Sequence, residues 1–130
     1  MSEEISPFLN KQVLAVEDYE FNLIIITEML KVFGINPDTA VNGLIAVEKV
    51  KEKKYDLIFM DIKMPIMDGY EAVKEIRKLP IPQPIIIALT ASSALIDKQK
   101  FLDVGMNDFL IKPVELGDLE KILEKYFSPK

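Results

Sequence analysis

The chain has no cysteine and no histidine. Without cysteine there is no disulfide framework, no thiolate nucleophile and no zinc-thiolate centre. Without histidine there is no Ser-His or Cys-His catalysis, no imidazole metal ligand and no phosphohistidine carried by this chain. A general nucleic-acid surface is also missing, because 16 basic against 21 acidic side chains leave a net charge of -5 and no excess of cations to face phosphates. No apolar run reaches the ~20 residues that span a bilayer, and Met1–Pro7 lacks the basic start and apolar stretch of a signal peptide. The expectation is a soluble, cytoplasmic protein whose chemistry rests on carboxylates, hydroxyls, amines and a hard cation.

What is present is enough for one core. A length of 130 residues with 49% hydrophobic content suits a single domain. Val13–Val16, Leu57–Met60 and Ile85–Leu89 are short, continuous apolar runs, as expected of parallel strands buried on both faces. Between them the spacing is helical. From Val114 to Phe127 the apolar residues Leu116, Leu119, Ile122, Leu123, Tyr126 and Phe127 recur every three or four positions, with charges between them.

This reading predicts strands near 11–17, 35–40, 55–60, 84–89 and 107–111, and helices near 20–33, 43–53, 70–79, 93–104 and 115–127. Five strand-helix repeats imply right-handed crossovers and an α/β, doubly wound parallel sheet covered on both faces. Residues 1–10 read as a leader or linker, and 11–127 as the domain.

In such a sheet, ligands bind beyond the carboxyl ends of the strands, where strand order reverses. Those ends carry Glu17 and Asp18, then Asp61, Thr90 and Lys112. Three carboxylates held together repel one another unless a cation or hydrogen bonds keep them ionised. With oxygen donors alone, the site favours a hard ion such as Mg²⁺. A carboxylate also serves as a nucleophile through an aspartyl phosphate. Asp61, on the central strand, is the best placed. Lys112 and Mg²⁺ would supply positive charge to a transferring phosphoryl group, and Thr90 a hydrogen bond.

Four segments, VEDYEFN at 16–22, FMDIKMPIMDG at 59–69, ALTA at 88–91 and GMNDFLIKP at 105–113, resemble in order the signature segments of the receiver domains of two-component signalling. The resemblance covers about Lys11 to Phe127. It implies a flavodoxin-like five-stranded sheet of order 2-1-3-4-5 with five helices. Asp61 would be the phosphoacceptor. Asp18 and Asp61, helped by Glu17 and completed by the Lys63 backbone carbonyl, would ligate Mg²⁺. Thr90, the Ala91 backbone amide and Lys112 would bind the phosphoryl group, and the Lys112–Pro113 bond would be cis.

The donor would be a histidine kinase or histidine phosphotransfer protein, with nothing inserted in a membrane, and the unphosphorylated form would be monomeric. The chain would be a signalling switch, not an enzyme acting on other substrates. It ends three residues after the last helix, so no output domain is expected to follow. It reads as a stand-alone receiver or a segment of a hybrid histidine kinase.

Three positions depart from the commoner family pattern. Glu17 stands where many members have Asp, and Phe109 stands where Tyr is frequent at the switch position that works with Thr90. Lys63 is a cation at a position that tunes phosphoryl lifetime. Other features have plainer readings. Asp68–Gly69 signals a turn with a glycine able to take positive φ, Pro65 shapes the loop after Asp61, Asn22 serves as a helix-start hydrogen bonder, and Phe109 is as readily a core aromatic as a switch. On the first helix the apolar arc is wider than one buried stripe needs, and Ile24 falls on the opposite side, between Lys31 and Glu28. Ile24 is the candidate partner-docking residue.

Two other classes fit these residues less well. A Mg²⁺-dependent aspartyl-phosphate phosphohydrolase would want a second Asp two residues after the nucleophile, where this chain has Lys63. A flavodoxin-like cofactor binder would want a phosphate-cradling loop after the first strand, where Glu17 and Asp18 would repel the phosphate.

Overall fold

The computed structural model describes residues 7–91 and 94–127. Five strands alternate with five helices: β1 (Val13–Val16), α1 (Glu20–Val32), β2 (Asp38–Ala40), α2 (Gly43–Glu52), β3 (Leu57–Asp61), α3 (Gly69–Arg77), β4 (Ile85–Thr90), α4 (Ala94–Val104), β5 (Asp108–Ile111) and α5 (Leu116–Phe127). The strands form one parallel sheet in the order β2-β1-β3-β4-β5. Order therefore reverses between β1 and β3, which pair with Val16 opposite Met60. The carboxyl ends of those two strands meet at the crevice where the sequence placed the acids.

Continuous apolarity in the strands has a direct structural cause. Alternate residues point to opposite faces, and both faces are covered. Leu14, Val16, Ile58, Met60, Ile86 and Ala88 pack against α2, α3 and α4. Val13, Ala15, Leu57, Phe59, Ile87 and Leu89 pack against α1 and α5. No helix among the described residues is long and apolar enough to cross a membrane.

The sequence boundaries hold to within a few residues, and the largest difference is instructive. The second strand was expected from residue 35, yet pairing with β1 begins with Asp38 opposite Leu14. Pro37 precedes it and has no N–H to give a ladder. Ile35 is nonetheless buried. The core also reaches into the stretch read as a leader: Phe8 is buried, with its ring 6.4 Å from that of Phe33 and 6.1 Å from that of Phe127.

The Asp68–Gly69 reading needs correction. Asp68 caps α3, its Oδ1 accepting the Glu71 N–H at 2.9 Å, and Gly69 is the first helical residue. The positive φ in this loop belongs to Ile66, at 73°, within a tight turn closed by the Met67 N–H donating to the Pro65 carbonyl at 2.7 Å. Gly69 is required for close approach. A Cβ there would lie 2.2 Å from the Asp61 carbonyl oxygen, while its N–H donates to the Ile62 carbonyl at 2.8 Å. The start of α3 is thus pressed onto the backbone that carries Asp61.

Gly69→Ala should lower stability by about 2–4 kcal/mol, because backbone atoms must move to admit the methyl group. Gly117→Ala is the control: a Cβ at Gly117 meets nothing within 4 Å, and the change should stabilise α5 by roughly 0.5 kcal/mol. Urea unfolding of the two variants beside the parent measures both, and equal effects would refute the close-approach account.

Candidate functional site

The five chemical residues converge as the topology requires. Glu17 and Asp18 follow β1, Asp61 ends β3, Thr90 ends β4, and Lys112 follows β5. Glu17, Asp61 and Thr90 are buried, at 2%, 4% and 5% exposure, whereas Asp18 is exposed. One carboxylate oxygen from each of Glu17, Asp18 and Asp61 lies within 4.8 Å of the others. Lys112 reaches in from the far side: its Nζ donates to Asp61 Oδ1 at 2.9 Å and to Glu17 Oε1 at 3.4 Å. Its backbone N–H donates to the Thr90 carbonyl at 2.7 Å, and its bond to Pro113 is cis.

Asp61 Oδ1 also accepts the Ile62 N–H at 2.9 Å, and Glu17 Oε2 accepts the Tyr19 N–H at 3.3 Å. Backbone amides and Lys112 thus orient the Glu17 and Asp61 carboxylates. A cleft of about 570 Å³ opens above them, and Lys63, Thr90 and Ala91 line it.

Charge in this cluster does not balance. Burial, then the charge of Asp61 and a shared hydrogen bond with it, pushes the Glu17 carboxyl up to about 7, although Lys112 and the Tyr19 amide pull the other way. For Lys112, burial alone would depress the ammonium, but the hydrogen bond and charge of Asp61, followed by Glu17, outweigh it and hold the group above its ordinary value. The Lys112 ammonium pairs with Glu17 and Asp61 and leaves the Asp18 carboxylate beside them, so this donor set has the chemistry of a site for a hard cation with oxygen ligands.

The remaining predicted residues lie around this centre. Phe109 is partly buried and packs on Phe101, with ring centroids 6.0 Å apart; Phe101 in turn stacks on Tyr70 at 6.1 Å. Ile24 is 52% exposed on α1, well away from the core stripe of Ile26 and Leu30. Asn22 lines the cleft.

Two cleft-lining side chains escaped the sequence reading, Tyr70 and Lys100. Tyr70 follows directly on Gly69, so recognition of Gly69 as a contact glycine would have put it beside Asp61. Nothing in the local pattern of α4 marks Lys100, whose placement depends on how α3 and α4 pack.

Comparison with known proteins agrees with this geometry. The model of the response regulator receiver domain family matches residues 13–124. The hybrid signal transduction histidine kinase B of Dictyostelium discoideum is 47% identical over 91% of this chain, which spans only 7% of that protein. The aerobic respiration control sensor protein ArcB of Escherichia coli is 36% identical over 97% of the chain and 16% of its own length. This chain therefore spans a small part of these relatives.

Among solved structures, the receiver domain of a Pseudomonas aeruginosa sensor histidine kinase, with a magnesium ion coordinated in its active-site cleft, superposes with a TM-score of 0.83 at 36% identity. That match covers 92% of this chain and 98% of the other. A receiver domain from Saccharomyces cerevisiae, crystallised with a histidine phosphotransfer signalling protein, gives 0.82 at 38% identity, covering 90% and 88%.

The raised Glu17 carboxyl has a testable consequence for metal-free protein. The unfolded chain releases this proton near the ordinary carboxyl value of 4.5, the folded chain near 7. Between those values the folded state binds more protons, so this group's contribution makes stability fall as pH rises across that window and level off above it. The loss should be up to about 3 kcal/mol. Glu17→Gln should remove that part of the slope, matching the parent near pH 4.5 and exceeding it at pH 8 by an amount of the same order, about 1–3 kcal/mol. Urea unfolding in chelator across that range decides the matter; parallel curves for the two proteins would refute it.

Proposed function

This chain belongs to the response regulator receiver domain family, and from that premise we propose that it is a phosphorelay receiver whose Asp61 takes a phosphoryl group from a phosphohistidine supplied in trans. The observation that carries the reading is the buried Asp61 carboxylate at the strand-order reversal, bound to Lys112 at 2.9 Å with Glu17 and Asp18 beside it. These 130 residues contain no histidine, so the donor imidazole lies outside them. The yeast receiver crystallised with a histidine phosphotransfer protein supports that class of donor, alongside histidine kinases.

In the transfer, an Asp61 oxygen attacks phosphorus as the P–N bond to the donor imidazole breaks, and the bonding pair stays with the imidazole nitrogen. Lys112 is already at hydrogen-bond distance from the acceptor and turns to a phosphoryl oxygen as charge builds there. The Thr90 hydroxyl and the Ala91 amide serve the other oxygens from the end of β4. Glu17, Asp18 and Asp61, with the Lys63 carbonyl, would hold Mg²⁺, an assignment that the magnesium in the Pseudomonas receiver supports. When bound, the ion would supply the positive charge that lets carboxylates and phosphate oxygens crowd together.

The product is a covalently modified switch that catalyses only its own phosphorylation and dephosphorylation. Thr90 and Phe109 carry its state to a second packing. Ile24 and the apolar residues near it on α1 form the donor-docking face, with Phe21 61% and Ile25 37% exposed. A phosphohydrolase is disfavoured because Lys63, two residues after Asp61, is an exposed amine and not the carboxyl such chemistry wants.

Incubation with a small acyl phosphate and Mg²⁺ should add one phosphoryl group by intact mass, and Asp61→Asn should abolish it. Persistence of the adduct in that variant, or rapid turnover of unrelated phosphate esters by the parent, would overturn the reading. Ile24→Glu should slow transfer from a phosphohistidine protein by about tenfold or more while leaving the small-donor rate unchanged. Equal loss with both donors would remove Ile24 from the docking face.

A further inference from the structure

The cleft is wider than the acid cluster at its floor. Its α3–α4 side is built from Tyr70 and Lys100, which have no part in the chemistry described so far. Lys100 Nζ lies 4.4 Å from the Tyr70 ring centroid. A cation over an aromatic face is attracted by the ring quadrupole, which biases a long side chain toward one place.

The ring itself has two independent anchors. Its neighbour Gly69 donates its N–H to the Ile62 carbonyl at 2.8 Å, one residue from Asp61. Phe101, itself 2% exposed, stacks on it with an interplanar angle of 29°. The seat of Lys100 is thus tied to the backbone that carries the phosphoacceptor.

Charge gives this seat a purpose. A phosphodonor brings an anionic phosphoryl group toward Glu17, Asp18 and Asp61, against which the floor sets the Lys112 ammonium and the β3 loop the exposed Lys63 amine. Like charges at that range slow approach unless cations at the rim offset them.

We propose that Lys100, seated on the Tyr70 ring, is a positioning cation that draws the anionic phosphodonor into the cleft and offsets its repulsion by the acid cluster. The inference rests on the receiver reading above and deepens it. An ordinary surface lysine in this place would leave the rate of transfer untouched.

The test uses the full chain with acetyl phosphate and Mg²⁺, and follows adduct formation by intact mass at low and at moderate ionic strength. In this reaction Asp61 oxygen attacks phosphorus, the P–O bond to the acetyl group breaks, and acetate leaves with the electron pair. Lys100→Gln should lower the initial rate about three- to tenfold and flatten its salt dependence. Lys100→Arg should restore both, since guanidinium keeps the charge and stacks on the ring. Decay of the adduct after donor removal should be the same in all three proteins.

A Lys100→Gln rate and salt slope equal to the parent's would overturn the proposal. So would failure of Lys100→Arg to rescue, which would mean packing rather than charge, or an effect confined to decay. If the parent itself forms no adduct on Asp61, the receiver reading falls instead, so the two failures are told apart.

Discussion

The bond between the Lys112 ammonium and the buried Asp61 carboxylate, 2.9 Å long, is the contact on which the rest of the site depends. Lys112 is only about one-fifth exposed at its side chain, and Asp61 less still. Either charge alone would carry the cost of burial without compensation. Together they are tolerable, yet the pair does not neutralise the site, because Glu17 and Asp18 bring further negative charge to the same few ångströms. Without a cation the site would hold a surplus of carboxylate over ammonium, and its first relief would be protonation of Glu17, whose carboxyl is pushed up to about 7. A bound cation would provide a second form of relief. The repulsion among these carboxylates is what would give the site affinity for a metal.

Holding such a cluster together requires a rigid frame, and the parallel sheet supplies it. Val16 lies opposite Met60, and Asp61 opposite Leu89, so the ends of β1, β3 and β4 are fixed side by side through buried ladders. The loop after β3 is then pinned by contacts that leave no room for a side chain. Gly69 meets the Asp61 carbonyl, and Gly43 at the start of α2 meets the Met67 carbonyl, where a Cβ would come within 2.5 Å. Both helix starts meet this loop in close backbone contact. Such packing is stiff because no rotamer change can relax it.

Much of this was legible in the sequence, for specific reasons. Residues buried on both sheet faces are apolar without alternation, so Leu57–Met60 and Ile85–Leu89 could be recognised as central strands. The acids, Thr90 and Lys112 stand at strand ends, and the fold rule brings strand ends together. Three kinds of information were hidden. Gly69 looked like a turn residue because composition does not distinguish a glycine needed for positive φ from one needed for close approach. Phe8 looked like part of a leader because one aromatic in a short polar stretch carries no period, yet it fills the gap between Phe33 and Phe127. The third was the α3–α4 side of the cleft. Tyr70 and Lys100 are thirty positions apart, and only the packing of two helices makes them neighbours.

That packing also constrains how a change at Asp61 can travel. Phe109 lies opposite Ala88 in the β4–β5 ladder, with its ring against Phe101. It has no hydroxyl, so no hydrogen bond from its side chain pins it in place, and its position is decided by volume. Phe101 is almost wholly buried and touches both Phe109 and Tyr70. Withdrawing Phe109 from this group would leave a void beside Phe101, and a void in a close-packed core is costly unless neighbours move to fill it. The neighbour able to fill it is the one that carries Phe101, helix α4. A rearrangement of Phe109 would therefore call for a displacement of α4. Because Tyr70 borders the cleft and stacks on Phe101, the same event would reach back to the rim of the site from which it began.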